Sequence, residues 1–199
     1  MRGVHHLRLP GGLMPYHIQA QLGTGDVELL VMMFDQADPA LDTCEIGTAY
    51  GGSAFLGACR AQRVGRRHWC VDQFGRPGAH LPDEPSMPVS FTALAVHGLE
   101  RYAVLLPGSS DEVSALLAPA IFGALFVDGG HTPEWARLDT QFALAHVRPG
   151  GLVAYHDHRR DDDKYDDYTA TVDQLALAGG WTELDHRGWT TCFRLPSGD

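Results

Sequence analysis

Asp128, His131, His156 and Asp157 combine residue types and positions that can do chemistry. They close two apolar runs, Leu125-Phe126-Val127-Asp128-Gly129-Gly130-His131 and Leu152-Val153-Ala154-Tyr155-His156-Asp157-His158. Carboxylates take hard divalent cations such as magnesium, and a neutral imidazole joins softer ions. Imidazole exchanges protons near neutral pH, which suits His131 to the role of general base. A third stretch, Glu45-Ile-Gly-Thr-Ala-Tyr-Gly-Gly-Ser53, runs from an apolar lead-in through a glycine turn into a helix start. Its spacing, Gly47-x-x-x-Gly51-Gly52-Ser53, is roomier than the Gly-x-Gly-x-x-Gly of dinucleotide turns. Glycine admits close backbone approach, the helix start offers free N–H groups, and Glu45 suits a ligand with a positive charge. Asp72 closes another apolar run and is placed to accept both hydroxyls of a ribose. Ser109 and Ser110 precede Asp111-Glu112, where Ser110 fits helix capping and ligand contact equally.

The elements that must position these groups alternate. Asp26 predicts a capped helix to about Ala37, with Val27, Leu30, Val31 and Phe34 on one face. Strands are expected at 43–46, 68–71, 103–106, 124–127 and 152–155. Helices are expected at 53–64, 89–97, 112–117, 133–146 and 169–178. The end reads differently: 181–185 and 190–195 form two strands about His186-Arg187-Gly188-Trp189, an antiparallel hairpin. Such alternation predicts an α/β fold with a mainly parallel sheet covered on both faces. Ligands in these sheets sit at the carboxyl ends of the strands, where Gly47, Asp72, Ser109-Ser110, Asp128 and His156-Asp157 all fall.

The chain of 199 residues suits one domain: an N-terminal arm and helix over 1–40, as acceptor cover or homodimer contact, and a main unit over 41–199. A formal charge of −10 argues against general nucleic-acid binding. The apolar stretch from Ala115 to Val127 is too short for a membrane span and is broken by Pro119 and Gly123. No signal core follows the N-terminus, so a soluble, cytoplasmic protein is expected. Cys44, Cys59, Cys70 and Cys192 lack metal-type spacing and read as reduced core thiols. The loop from His158 to Tyr168 carries most of the concentrated acid and reads first as solvated, with a lid as the other reading. Tyr155, Tyr165 and Tyr168 are candidates for stacking on a sugar or aromatic ring.

From Thr43 to Leu195 the chain resembles the class I S-adenosylmethionine-dependent methyltransferases, of the small O-methyltransferase type that includes catechol and antibiotic-sugar enzymes. The resemblance rests on Glu45–Ser53, Val71-Asp72, Pro107-Gly-Ser-Ser-Asp111, Phe126-Val-Asp-Gly-Gly-His131 and Arg148-Pro-Gly-Gly-Leu-Val-Ala-Tyr-His-Asp157, in that order. It implies a Rossmann-like seven-stranded sandwich with S-adenosyl-L-methionine as cofactor. Glu45, Gly47 and Ser53 would hold its methionine part, Asp72 its ribose, and Ser110 with Asp111 its adenine. Asp128, His156 and Asp157 would hold magnesium or another divalent cation, and His131 would be the base. The family's catechol enzymes have Lys at the base position and Asp-Asn or Asp-Asp where this chain has His156-Asp157. His156 is therefore open to two roles, ligand or substrate contact. Successive strand residues point to opposite faces, so both can reach one ion only if the backbone bends.

The resemblance implies transfer of a methyl group to a hydroxyl of a small polar acceptor, with a sugar as one reading. Rival readings are a metal-independent methyltransferase, a nicotinamide-dependent oxidoreductase on a similar sheet, a metal hydrolase, and a non-catalytic binder. The glycine spacing and the reversed hairpin weigh against the oxidoreductase.

Overall fold

The structure is a computed structural model describing residues 22–75 and 87–198. Its elements in chain order are α1 (Thr24–Gln36), β1 (Asp42–Ile46), α2 (Gly52–Val64), β2 (His68–Asp72), α3 (Met87–Ala95), β3 (Ala103–Pro107) and α4 (Ser110–Ser114). They continue through β4 (Phe122–Val127), α5 (Pro133–His146), β5 (Val147–Tyr155), α6 (Asp166–Ala178), β6 (Thr182–Arg187) and β7 (Thr190–Arg194). The strands form one sheet in the order β3-β2-β1-β4-β5-β7-β6. Strands β1 to β5 are parallel; β7 runs antiparallel to both β5 and β6. The expected Rossmann-like sheet and its reversed C-terminal hairpin are therefore present.

Every residue of β4 is buried, as a central strand covered on both faces requires. On one face α1 and α2 press Leu29, Leu30, Met33, Phe34, Ala54 and Ala58 onto Cys70, Phe126 and Ala154. On the other, α5 and α6 press Phe142, Ala143, Tyr168 and Val172 onto Ile46, Leu125, Val153 and Phe193. Each fully buried Leu or Phe contributes roughly 1.5–3 kcal/mol. Helix α1 thus belongs to the main core; residues 1–21 of the expected arm lie outside the described residues. Cys44, Cys70 and Cys192 are buried and all four cysteines are free. No described helix is long and apolar enough to cross a membrane.

Three local expectations differ from the structure. The cap of α1 is Gly23, with Asp26 at the third helical position and its Oδ2 accepting the Gly23 N–H at 2.8 Å. Reaching back from there satisfies the N-cap N–H, a different donor from the N2 or N3 N–H that a capping side chain takes. Ser109, not Ser110, caps α4, and Glu112 closes the box by accepting from the Ser109 N–H at 3.0 Å. Strand β5 begins at Val147 because that residue pairs with Phe122, after which the register jumps to Leu152 opposite Ala124. Pro149-Gly150-Gly151 forms a bulge within the strand, where Gly150 adopts φ +73°.

Candidate functional site

Neighbouring β1 and β4 lead to opposite sides of the sheet, so the switch point lies between their carboxyl ends. Backbone bonds tie the tips of β2, β1, β4 and β5 together: Asp128 N–H donates to Ile46 O at 2.8 Å, Gly47 N–H to Val71 O at 2.8 Å, and His156 N–H to Val127 O at 2.9 Å. Gly47 has φ +89°, and a Cβ there would stand 2.0 Å from the Asp128 carbonyl oxygen. The first turn and the Asp128 loop can meet only with glycine at this position.

Asp72 shapes the glycine turn. Its Oδ2 accepts from Thr48 N–H at 2.6 Å and Ala49 N–H at 2.9 Å, and its Oδ1 from Phe74 N–H at 2.6 Å. These bonds hold Ala49 in a left-handed conformation, φ +44°. The carboxylate is half-buried and keeps one lone-pair site, on Oδ1, beyond those bonds. Gly51, in the left-handed region, precedes α2 with no side-chain cap, so the first-turn N–H groups near Ser53 have no side chain closing them off. Glu45 is completely buried in β1. Its carboxylate has no hydrogen-bond partner and faces His68 Nε2 at 3.3 Å, while His68 Nδ1 bonds Thr43 Oγ1 at 2.9 Å. The uncapped helix start fits an anionic group of a ligand, while the wholly buried Glu45 stands against His68 and Cys70, their ligand atoms within 4.8 Å of one another. Ser110 is buried and donates to Asp139 Oδ1 at 2.5 Å, whereas Asp111 is exposed and accepts from Ser109 Oγ at 2.5 Å. Burial raises the Asp139 carboxyl to about 7, against the pull of the Ser110 hydroxyl and the His131 ring.

Asp128, His131, His156 and Asp157 converge: one donor atom from each lies within 4.8 Å of the others. His131 Nε2 is 3.5 Å from Asp128 Oδ1 and 3.4 Å from Asp157 Oδ2. His156 Nδ1 is 3.0 Å from Asp128 Oδ1 and 3.7 Å from Asp157 Oδ2. The bend that the sequence requires is present as φ +53° at Asp157, which turns its side chain back to the centre that His156 faces. The buried nitrogens of His156 and the Nε2 of His131 have no hydrogen-bond partner. Burial alone would raise the Asp128 carboxyl, but His156 and His131 outweigh it and bring it down to about 2. Burial works against a charged His156, yet the carboxylates of Asp128, Asp26 and Asp157 raise its pKa well above the ordinary range. Unpartnered nitrogens facing two carboxylates form a donor set that fits a divalent cation.

His131 is held edge-on by the rings of Tyr165 and Tyr168, with centroids 5.5 Å and 5.4 Å away. Both tyrosines are buried, so the 158–168 loop folds over His131. Tyr155 lies elsewhere: it is fully buried on the α5 side of the sheet, its hydroxyl bonded to Thr140 at 2.7 Å. Strand alternation puts it on the face opposite His156, so it is not available for ring stacking. Arg160 binds Asp157 Oδ1 at 2.8 Å and lies 3.9 Å over the Trp189 ring. Sequence reading missed Arg160, Asp139 and Asp26. The two acids carried a usable signal, since each is a charge set within the buried stripe of a helix (Asp26 with Leu29 and Leu30, Asp139 with Ala136 and Ala143).

Comparison with known proteins accords with this architecture. No curated protein matches the sequence. Solved structures of the same fold include the O-methyltransferase TomG of Streptomyces achromogenes in complex with SAM. It is 17% identical, with 89% of this chain and 82% of that one covered and a TM-score of 0.64. An O-methyltransferase from Bacillus cereus in complex with SAH is 16% identical, with 84% and 79% covered and a TM-score of 0.61. The O-methyltransferase NovP is 15% identical, with 85% and 79% covered and a TM-score of 0.65. The sequence profile of a methyltransferase domain matches residues 44–158, from β1 through the β5 tip and so across Gly47, Asp72, Asp128, His131, His156 and Asp157. That match spans more than half of the chain, which therefore belongs to the methyltransferase domain family.

Proposed function

We propose that the protein transfers a methyl group from S-adenosylmethionine to a hydroxyl of a small polar acceptor, with His131 as general base and a divalent cation at Asp128, His156 and Asp157. The observation that carries this reading is the meeting of two carboxylates and two imidazoles within 4.8 Å, at strand ends adjoining the glycine turn. The cofactor, when bound, supplies an electrophilic methyl group on a sulfonium. The uncapped start of α2 and Ser53 would receive its carboxylate, Glu45 its ammonium, Asp72 its ribose, and Ser110 with Asp111 its adenine.

An alcohol is a weak nucleophile until its proton leaves. His131 takes that proton on Nε2, the atom aimed into the centre. Asp128 and Asp157 flank Nε2 and stabilise the imidazolium that forms, and Tyr165 and Tyr168 fix the ring plane. A divalent cation at this centre would stabilise the developing oxyanion and align it. A sugar hydroxyl is the acceptor chemistry best suited to the polar His and Asp groups.

The test is transfer of labelled methyl to a panel of sugars, catechols and polyketides, with and without magnesium and chelator, beside calorimetry with S-adenosylmethionine. Donor uptake and labelled product are expected. No uptake of the donor would falsify the function, and full activity in chelator would remove the cation from it. Turnover of an acceptor without any methyl donor would favour a hydrolase instead.

A further inference from the structure

His156 is enclosed by groups from four elements. Its Nδ1 faces Asp128 and Asp157, and its Nε2 faces Asp26 Oδ2 on α1 at 3.7 Å. The rings of Phe126 and Trp189 stand edge-on at 6.2 Å and 6.4 Å. A half-turn of the imidazole would present C–H to all three carboxylates, so charge selects the observed orientation. Asp26 is itself locked. It is 1% exposed, and its Oδ1 accepts from Trp189 N–H at 2.8 Å and Thr190 Oγ1 at 2.9 Å, while Oδ2 accepts from Gly23 N–H. The β6–β7 turn comes so near that a Cβ on Gly188 would meet Asp26 Oδ1 at 2.5 Å.

We infer that Asp26 is a positioning residue that points His156 Nδ1 at the centre, making it a nitrogen site that prefers cobalt- or zinc-class ions over magnesium. This rests on the reading of Asp128, His156 and Asp157 as cation ligands. A ligating histidine commonly has a carboxylate at its second ring nitrogen, which fixes the ring and strengthens the donor; Asp26 Oδ2, 3.7 Å from Nε2, takes that place as a charge partner without a hydrogen bond. Imidazole suits borderline transition ions, whereas magnesium favours oxygen and sheds water reluctantly. Nδ1 makes no hydrogen bond and pairs with Asp128 Oδ1 at 3.0 Å, so an ion held by the same carboxylates would take the place of its proton.

The experiment titrates the full chain, freed of metal by chelation, with Co2+, Mn2+ and Mg2+ by calorimetry. Visible spectra of the Co2+ protein and nitrogen couplings in pulsed EPR of the Mn2+ protein supply readouts independent of activity. Co2+ is expected to bind at least about tenfold more tightly than Mg2+. His156→Asn should abolish that preference and one nitrogen coupling that His131→Ala retains. Asp26→Asn should weaken Co2+ binding by about 10–100-fold. Thr190→Val removes a different bond to Asp26 and should lower thermal stability with Co2+ affinity kept. Equal affinity for Mg2+ and Co2+, or an unchanged preference in His156→Asn, overturns the inference and leaves a cation centre standing. The His156→Asn arm does so even where Asp26→Asn fails to fold. Equal loss of Co2+ affinity in Thr190→Val overturns the role of Asp26. Binding of no ion overturns the inference together with the cation part of the proposed function, while donor uptake tests the remainder separately.

Discussion

Replacing Asp139 with asparagine should change how stability depends on pH. Asp139 is 1% exposed in α5; its Oδ1 accepts from Ser110, and its Oδ2 has no hydrogen-bond partner. Its folded carboxyl titrates near 7 rather than at the ordinary 3.8, chiefly because burial opposes the charge. The folded pKa is raised, so the group's contribution is fully present below the unfolded value and is lost as pH rises through about 7. A rise of roughly three units at about 1.4 kcal/mol each gives a loss of about 4 kcal/mol, most of it between roughly pH 4 and pH 7. Asparagine keeps the acceptor for Ser110 and cannot ionise. Urea unfolding of both proteins across that range isolates the effect, since all other titrating groups are shared. Well below pH 4 the two should differ little in their pH slope, and the slopes should differ most between about pH 5 and pH 6. By pH 8 the variant should have gained about 4 kcal/mol relative to the parent. A stability difference that stays level with pH refutes the claim that this carboxyl is held neutral by burial.

Other substitutions test other links in the chain of reasoning. His131→Ala should lower kcat by about 10²–10⁴-fold with little change in donor affinity, read by steady-state kinetics and calorimetry. Asp128→Ala should lower both the rate and its dependence on added divalent cation; a rate still fully metal-dependent would move the cation away from β4. Gly47→Ala should destabilise by about 2–5 kcal/mol, because it combines an unfavourable left-handed backbone with a clash against the Asp128 carbonyl, and thermal unfolding would show it. Arg60→Met should cost roughly 2–4 kcal/mol in urea, since the buried guanidinium donates to the carbonyls of Ala37, Asp38 and Leu41 and methionine leaves them without that donor.

Much of this protein is written locally. The strand at Asp42–Ile46, the helix opened by Pro133 and the stops at Gly65 and Gly179 follow from hydrophobic period and turn residues, which act over a few positions. Parallel pairing then carries Gly47, Asp72, Asp128 and His156 to one edge of the sheet, so the neighbourhood of the site was readable without coordinates. Tertiary structure decided the rest. Period alone could not tell that Tyr155 faces Thr140 inside the core while His156 faces α1, because a continuous apolar run has no polar face to break the tie. Asp26 read as a helix cap, since capping is a contact within one turn; its bond to Trp189 spans 163 residues and exists only once the β6–β7 hairpin packs on α1. Likewise, the bend at Asp157 that brings two neighbouring side chains to one centre is held by its surroundings, with His156 N–H bound to Val127 O and His158 N–H to Trp189 O. The amino-acid order thus determined which groups arrive at the strand tips. Long-range packing determined which way each of them faces, because orientation depends on partners that no local window contains.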